Sequence, residues 1–343
     1  MKFGRVSLWD AQGAILAHSV SLPGGRLRKG LTLEADHLAA LSHAGYDGVT
    51  VARLGPGDVH EDEAAIRLGR ALVPDPEQAH LRLSGAATGR VNLMAESAGI
   101  VVMTPAAIVA VNQVDPAITL ATVPPWRQVR PDGMVATVKI ISYAVAADRL
   151  EQACTAAAGA LRVQPPVHRS ATLILTDAPG AVGEGQAVKL ADKGRRAVRG
   201  RLDMLGMTLR ETLRVPHETR ALADAITQAR GDMILILTAT ATSDARDVAP
   251  EALRAAGGQL ERFGIPVDPG NLLFLGALGA RPVIGLPGSA RSSVLHGADW
   301  MLARVACGLP PNSREIAEMG VGGLLKEMPT RPMPRKGSGN TDT

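Results

Sequence analysis

The chain has 343 residues, of which 46% are hydrophobic and 20% are charged, and its formal net charge is +4. This composition is typical of a globular protein long enough for two domains, and it excludes a wholly disordered chain. Lys and Arg are spread among 33 acidic residues, and the only aromatic residues are three Trp, two Tyr and three Phe. Because so few rings offer little surface for base stacking, we expect small anionic ligands rather than nucleic acid.

The two cysteines, at positions 154 and 307, are far apart in the sequence, and no Cys and His residues have the spacing of a zinc site. The N-terminus has no apolar core of signal-peptide length, and no uninterrupted apolar stretch of about 20 residues occurs. We therefore expect a cytoplasmic protein with reduced thiols and no membrane contact.

The first half of the sequence predicts a β-rich α+β domain over residues 1–165. Helices are predicted over residues 33–44, 61–72 and 149–161 from their apolar spacing and alanine content. The two prolines of VQPPVHRS predict a linker and a boundary near Pro165. Short β-branched runs bounded by turn residues predict the strands, which are DGVTVARL, GRVNLMA, GIVVM and MVATVKII.

From residue 166 to residue 327, strands and helices alternate. Such alternation predicts an α/β domain of three layers, with a mostly parallel sheet between helices and ligands outside the carboxyl ends of the strands. The sequence of residues 328–343 predicts an extended, partly disordered tail. The predicted strands are SATLILTD, TLRETLRV, DMILILTA, NLLFLGAL and RPVIGLPG. Three loops then lie at the ligand edge, namely TDAPGAVGEG, LTATATSDARD and GLPGSARSS.

In the loop LTATATSDARD, Asp247 stands at the start of a predicted helix, beside Arg246. A carboxylate and hydroxyl groups near free backbone N–H groups could hold Mg²⁺ or an anion, whereas Asp before Val-x-Pro-Glu is also a good helix cap. From the residues alone both interpretations stay open. The hydroxyl side chains of this loop are Thr238, Thr240, Thr242 and Ser243.

The loop GLPGSARSS combines glycines, hydroxyls and a guanidinium where a helix is predicted to begin. Glycine lets a phosphate approach the backbone, and Arg makes bidentate contacts with it. A turn that binds no ligand is equally consistent with the sequence of this loop. The candidate ligand contacts are Gly285, Pro287, Gly288, Ser289, Arg291 and Ser292.

Two further residues are candidates near this edge. Lys193 lies in a strongly basic helix and could reach an anion. The other charged side chains of this helix, including Arg201, are expected mostly to face solvent. His217, in VPHE after a strand, is a candidate acid, base or ligand, although a lone loop histidine is usually none of these.

The order and spacing of RDVAPE, VDPGNLLF and PVIGLPGSARS resemble the molybdopterin-binding domain family of molybdopterin adenylyltransferases, molybdopterin molybdenumtransferases and competence-damage-type proteins. Nearly the whole chain is similar in sequence to the molybdopterin-binding half of fused molybdenum cofactor cytidylyltransferases. The similar segments include ARLGPGDVHEDEAA, TGRVNL, MVATVKII and MGVGGLL. One departure is that Ala239–Thr242 replace the glycine-rich part of the adenylyltransferase loop, and these residues cannot adopt glycine-only φ values cheaply.

This resemblance implies a protein of molybdenum cofactor biosynthesis with molybdopterin as substrate or ligand. It implies that Asp247 is a catalytic residue that holds Mg²⁺ or molybdate, that Arg246 and Arg291 bind anionic groups, and that Asn271 belongs to the site. The reaction implied is molybdate insertion. The alternatives are a non-catalytic carrier that presents cofactor to a separate cytidylyltransferase or a molybdoenzyme, and a hydrolase like the competence-damage relatives. A homodimer is implied by analogy with the molybdenumtransferases.

Overall fold

The computed structural model describes residues 1–177 and 184–325. Two compact units divide the chain: the first contains Met1–Ser97 and Val101–Gln164, and the second contains Ala98–Ile100 and the chain from Pro165 onward. The predicted tail over residues 328–343 and most of the loop TDAPGAVGEG lie outside the described residues. In the described part of the chain, no helix has both the length and the apolar character needed to cross a bilayer.

Up to Gln164 the chain forms short strands and five α-helices. The strands are β1 (Lys2–Ser7), β2 (Ile15–Leu16), β3 (Val20–Leu22), β4 (Gly25–Leu27), β5 (Gly48–Arg53), β6 (Asp58–His60), β7 (Leu81–Leu83), β8 (Arg90–Ala95), β9 (Gly99–Met103), β10 (Ile118–Thr122), β11 (Gln128–Val129), β12 (Met134–Ile140), β13 (Ala144–Ala146) and β14 (Leu161–Gln164). The helices are α1 (Ala35–His43), α2 (Glu61–Leu72), α3 (Pro76–Ala79), α4 (Pro105–Val114) and α5 (Ala147–Ala157).

The first unit is built on a smaller and a larger hydrophobic core. One core lies between the antiparallel sheet β1-β5-β2 and helix α1, and it includes Leu16, Leu33 and Val51. The other lies under the sheet β10-β12-β8-β7, which α2 and α4 cover. The β-rich α+β domain predicted from the sequence is therefore present. Helix α4 is absent from the prediction because its text, PAAIVAVNQV, is apolar on nearly all sides and has no clear helical period.

After Gln164 the chain alternates strands with helices, as predicted. The strands are β15 (Ser170–Asp177), β16 (Thr208–Pro216), β17 (Met233–Leu237), β18 (Gln259–Phe263), β19 (Phe274–Leu278) and β20 (Arg281–Leu286). The helices are α6 (Glu184–Met204), α7 (Thr219–Gln228), α8 (Val248–Ala255), α9 (Gly297–Ala306) and α10 (Ser313–Glu318), with a short 3-10 turn over Gly288–Arg291.

The six strands of the second unit form one sheet in the order β16-β15-β17-β20-β19-β18. The first four are parallel, whereas β19 and β18 continue the sheet antiparallel. Helices α7 and α8 cover one face through a core that includes Ile174, Ile236 and Leu253. Side chains alternate between the faces of a strand, so Leu237, which packs toward α6, lies on the other face. The predicted three-layer α/β/α domain with a mostly parallel sheet is confirmed.

Two local predictions are wrong in detail. Strand β18 was missed because its text, QLERF, is polar, which an edge strand tolerates. The last long helix begins at Gly297 and not near Ser292. His296 caps this helix, and its backbone N–H is bonded to Asp299 in a reciprocal capping box, which fixes the start.

Candidate functional site

The candidate site lies at the carboxyl edge of the second sheet. The four parallel strands end there at Asp177, Pro216, Leu237 and Leu286. Because β19 is antiparallel to β20, the segment that leads into β19 reaches the same edge, and this segment contains Asn271. Loops that the sequence places far apart are therefore neighbours at one edge, where ligands of open α/β sheets bind.

Asp247 is the N-cap of α8, and both of its carboxylate oxygens accept backbone hydrogen bonds. The N–H of Val248 donates to Oδ1 at 2.7 Å, and the N–H of Ser243 donates to Oδ2 at 3.0 Å. The carboxylate thus closes its own loop and starts the helix. The capping interpretation of Asp247 is confirmed, and any ligand at this carboxylate would have to share it with these two donors.

The threonines between Leu237 and Asp247 have different surroundings. Thr238 and Thr242 are buried, and the Thr238 hydroxyl donates to the carbonyl of Thr240 at 2.6 Å. The side chain of Thr240, by contrast, is exposed. All residues of the loop have negative φ, so side-chain hydroxyls and an aspartate hold a loop that has no glycine.

His217 connects this loop to the end of β15. Its Nδ1 lies 2.9 Å from the hydroxyl of Thr176, and its Nε2 lies 2.9 Å from the hydroxyl of Thr240. The Thr176 hydroxyl also accepts the N–H of Ala239 at 2.8 Å. The structure therefore brings His217 and Thr240 together, with the imidazole between two hydroxyl groups.

The side chain of Arg201, in α6, stabilises the loop that follows β20. Its guanidinium donates to the carbonyls of Ala290 and Ser292, both at 2.8 Å, and to the carboxylate of Asp299 at 2.6 Å. Only 7% of the Arg201 side chain is exposed, so this residue is an exception to the solvent-facing charges expected of the helix. Burial raises the pKa of Asp299 even though the Arg201 guanidinium lowers it.

Ser289 is exposed at the start of this loop, and its hydroxyl lies 2.8 Å from Nε2 of His296. His296 itself is buried, with 1% of its surface exposed. Its Nδ1 accepts the N–H of Ala298 at 3.0 Å, as the cap of α9. Ser289 is therefore a surface hydroxyl that is supported by a rigid helix start.

Arg291 lies between the two loops. Its Nη2 donates to the carbonyl of Thr238 at 2.7 Å, and its Cγ and Nε pack near Gly194 of α6. Among the side chains that the structure describes, the buried Nε of Arg291 has no hydrogen-bond partner and no carboxylate forms an ion pair with its guanidinium. Burial lowers the pKa of the Arg291 guanidinium. A partly desolvated cation without a counterion is a strong candidate to bind an anion.

Gly285 lies inside β20, opposite Phe274 of β19. A Cβ at this position would overlap the Phe274 ring. Packing inside the sheet therefore explains this glycine, without any approach of a phosphate to its backbone. Gly288 and the buried Pro287 do lie in the loop beyond the strand.

Three other predicted site residues have side chains that face solvent. Arg246 is 83% exposed and pairs with Asp244 at 3.2 Å, and Lys193 and Asn271 are exposed as well. The described residues contain no group of three or more His, Cys, Asp or Glu side chains arranged to hold a metal ion.

The sequence analysis did not identify Arg201, His296 and Asp299 as site residues. These residues support the loop that follows β20. The H-x-x-D spacing of His296 and Asp299 is a signal that could have been used, because it fits a capping box. No local signal distinguishes Arg201 from its basic neighbours.

Residues 178–306 match the family described as "Probable molybdopterin binding domain", and residues 5–53 match a domain of unknown function. The matched segment 178–306 belongs to the molybdopterin-binding domain family. The chain matches no curated protein in sequence.

Three solved structures resemble the chain at low identity. A molybdopterin biosynthesis MoeA protein from Pyrococcus horikosii is 13% identical, with 90% of this chain and 75% of that chain covered and a TM-score of 0.32. A molybdopterin biosynthesis enzyme MoaB from Thermus theromophilus is 20% identical, with coverages of 42% and 99% and a TM-score of 0.30. A molybdenum cofactor biosynthesis protein from Pyrococcus furiosus is 12% identical, with coverages of 91% and 67% and a TM-score of 0.21. The family assignment rests on the match of residues 178–306.

Proposed function

We propose that the second unit binds molybdopterin at the carboxyl edge of its sheet and that the protein acts in maturation of the molybdenum cofactor by molybdate insertion. The observation that carries this proposal is Arg291, whose guanidinium joins the two loops and has a buried Nε–H without a partner among the described residues. The phosphate of molybdopterin would provide a negative charge beside this guanidinium, which has no ion-pair partner among the described side chains.

Around Arg291, the groups best placed to contact the phosphate are donors. Ser289 and Thr240 present exposed hydroxyls on the two loops, and Gly288 places little bulk beside the guanidinium. Thr238 and Thr242 shape the first loop from inside. The exposed cation Lys193 contributes a positive field that favours the approach of an anion, whereas the charge of Arg246 is paired with Asp244. Molybdate is itself an oxyanion, so the same kind of donor set suits it as a substrate.

Asp247 distinguishes the two proposed functions, because only molybdate insertion would need its carboxylate in the reaction, whereas a carrier of the cofactor would not. Mg²⁺ is often bound by one or two carboxylates together with waters and substrate phosphates, and Asp247 could be such a ligand. A carrier that only holds and presents the cofactor is favoured by the two backbone hydrogen bonds that already occupy this carboxylate. The partner cytidylyltransferase or molybdoenzyme, the homodimer and the cytoplasmic location stay predictions.

Replacing Arg291 by glutamine is expected to weaken molybdopterin binding by about 10- to 100-fold, because hydrogen bonds to a charged group contribute about 1.5–3 kcal/mol. Binding is measured by anaerobic titration of the purified chain with molybdopterin, followed by pterin fluorescence. The matched control is Arg314→Gln on α10, whose side chain is 88% exposed and pairs with Glu318 in the same helix. Equal affinity of Arg291→Gln and the parent protein would contradict the proposal.

Two variants of Asp247 separate its cap from a role in the reaction. Asp247→Ala is expected to lower the free energy of unfolding by about 1 kcal/mol, whereas Asp247→Asn keeps an acceptable cap and nearly all of the stability. If Asp247 takes part in insertion, the Asn variant forms molybdenum cofactor from molybdopterin, molybdate and Mg²⁺ at least about tenfold more slowly than the parent protein, a difference of about 1.4 kcal/mol. A parent protein that binds molybdopterin without accelerating this reaction would favour the carrier.

A further inference from the structure

Two exposed hydroxyl groups at the candidate site, those of Thr240 and Ser289, have the same kind of neighbour. Each lies within 2.9 Å of the Nε2 atom of a histidine: Thr240 at His217 and Ser289 at His296. The two hydroxyls lie on the two loops that Arg291 connects. The direction in which each hydroxyl proton points depends on which ring nitrogen carries the imidazole proton.

For His296 the backbone decides the position of the proton. The N–H of Ala298 can only donate, and it points at Nδ1 from 3.0 Å, so Nδ1 must offer its lone pair. A neutral imidazole with its lone pair on Nδ1 carries its proton on Nε2. That N–H then donates to the Ser289 oxygen at 2.8 Å, and the serine's own proton is directed away from the ring.

For His217, the buried hydroxyl group of Thr176 determines which ring nitrogen carries the proton. Thr176 is 4% exposed, and its oxygen already accepts the N–H of Ala239. The acceptor for its proton within the described residues is Nδ1 of His217, at 2.9 Å, and leaving a buried donor unpaired would cost about 1–3 kcal/mol. Nε2 of His217 therefore carries the proton and donates to Thr240.

We propose that His217 and His296 are positioning residues, each a neutral imidazole protonated at Nε2, that turn the hydroxyl protons of Thr240 and Ser289 toward an oxyanion held by Arg291. This inference rests on the proposed function and deepens it, because it assigns the site to a ligand group that only accepts hydrogen bonds, such as phosphate or molybdate. Neither histidine acts as the base for its hydroxyl neighbour, since Nε2 already carries a proton.

The tautomers are measured without any ligand, by long-range ¹H–¹⁵N correlation spectra of the full chain labelled with ¹⁵N-histidine. His217 and His296 are expected to show the Nε2–H pattern, and single substitutions assign their signals. His43 is an internal reference of opposite type, because its Nδ1 lies 2.8 Å from the carbonyl of Ala39 and must donate to it. An Nδ1–H pattern for His217 or His296 would overturn the inference.

The effect on binding is measured with inorganic phosphate and with molybdopterin. His296→Asn keeps an acceptor for the N–H of Ala298 but cannot reach Ser289, and we expect it to weaken binding by about 3- to 10-fold. His296→Gln, which can place an N–H near the serine oxygen, is expected to stay within about twofold of the parent protein. His43→Asn is the control and leaves binding unchanged.

A double substitution shows whether His296 acts through Ser289. Ser289→Ala combined with His296→Asn is expected to bind as weakly as Ser289→Ala alone, since coupled residues are not additive. Additive losses would overturn the inference. If phosphate binding follows this pattern and molybdopterin does not bind, the proposed function fails while the positioning of the hydroxyls stands.

Discussion

Replacement of Arg201 by methionine is expected to lower the free energy of unfolding by about 3–5 kcal/mol, the usual effect of removing one partner of a buried ion pair. The guanidinium is 7% exposed and its partner Asp299 is 18% exposed. Its loss leaves the carboxylate without its cation and the carbonyls of Ala290 and Ser292 without their donor. Urea denaturation of the full chain measures the difference.

Arg199→Met is the matched control for this prediction. Arg199 lies in the same helix, but its side chain is 65% exposed and its contact with Asp203 is 3.9 Å long. Exposed pairs of this kind contribute little, so the change is expected to stay below about 0.5 kcal/mol. Similar losses for the two variants would show that Arg201 is no more than a surface charge.

The pH dependence of Arg201→Met follows from Asp299. Burial already raises the pKa of Asp299 in the parent protein, and removal of the guanidinium removes the main influence that lowers it. A folded-state pKa above the unfolded value means that the folded state binds more protons, so the stability of the variant falls as the pH rises from about 4 through the raised pKa. Adding Asp299→Asn is expected to recover at least about 1 kcal/mol at pH 8, because the unpaired charge is gone.

Replacement of Gly285 by alanine is expected to lower the free energy of unfolding by about 3 kcal/mol through overpacking. The added methyl group would overlap the Phe274 ring, and both residues are buried in paired central strands that cannot easily move apart. The second unit would lose stability before any ligand is added. Thermal and urea unfolding measure the effect in the absence of molybdopterin.

Two further variants separate packing from ligand contact at Gly285. Adding Phe274→Leu to Gly285→Ala makes room for the methyl group and is expected to restore at least about 1 kcal/mol. Gly200→Ala, at an open position in α6, is expected to stabilise the protein by about 0.5–1 kcal/mol. A fully stable Gly285→Ala protein that has lost molybdopterin binding would instead assign this glycine to the ligand.

The sequence was sufficient to predict the main elements of the second unit. Apolar runs such as DMILILTA are long enough for buried strands, and their alternation with helices predicts the parallel sheet and the edge at which ligands bind. A helix cap at Asp247 was one of the two interpretations that the sequence left open, since capping depends on a few neighbouring residues. These features are local, so a linear reading captures them.

The composition of the candidate site depends instead on contacts between distant residues. Arg291 reaches the carbonyl of Thr238 across 53 positions, and Arg201 reaches Ser292 across 91. Gly285 resembles part of a phosphate loop in the sequence, yet its place is set by the Phe274 ring on the neighbouring strand.

The sequence by itself thus determined the α/β architecture and the loops at the carboxyl edge, because hydrophobic periodicity acts over a few residues. Only the tertiary structure decided which charges are buried, which glycine serves packing and which hydroxyls have histidine neighbours. These properties arise where strands and helices remote in sequence exclude water together, so burial and hydrogen-bond partners are set by the packed fold.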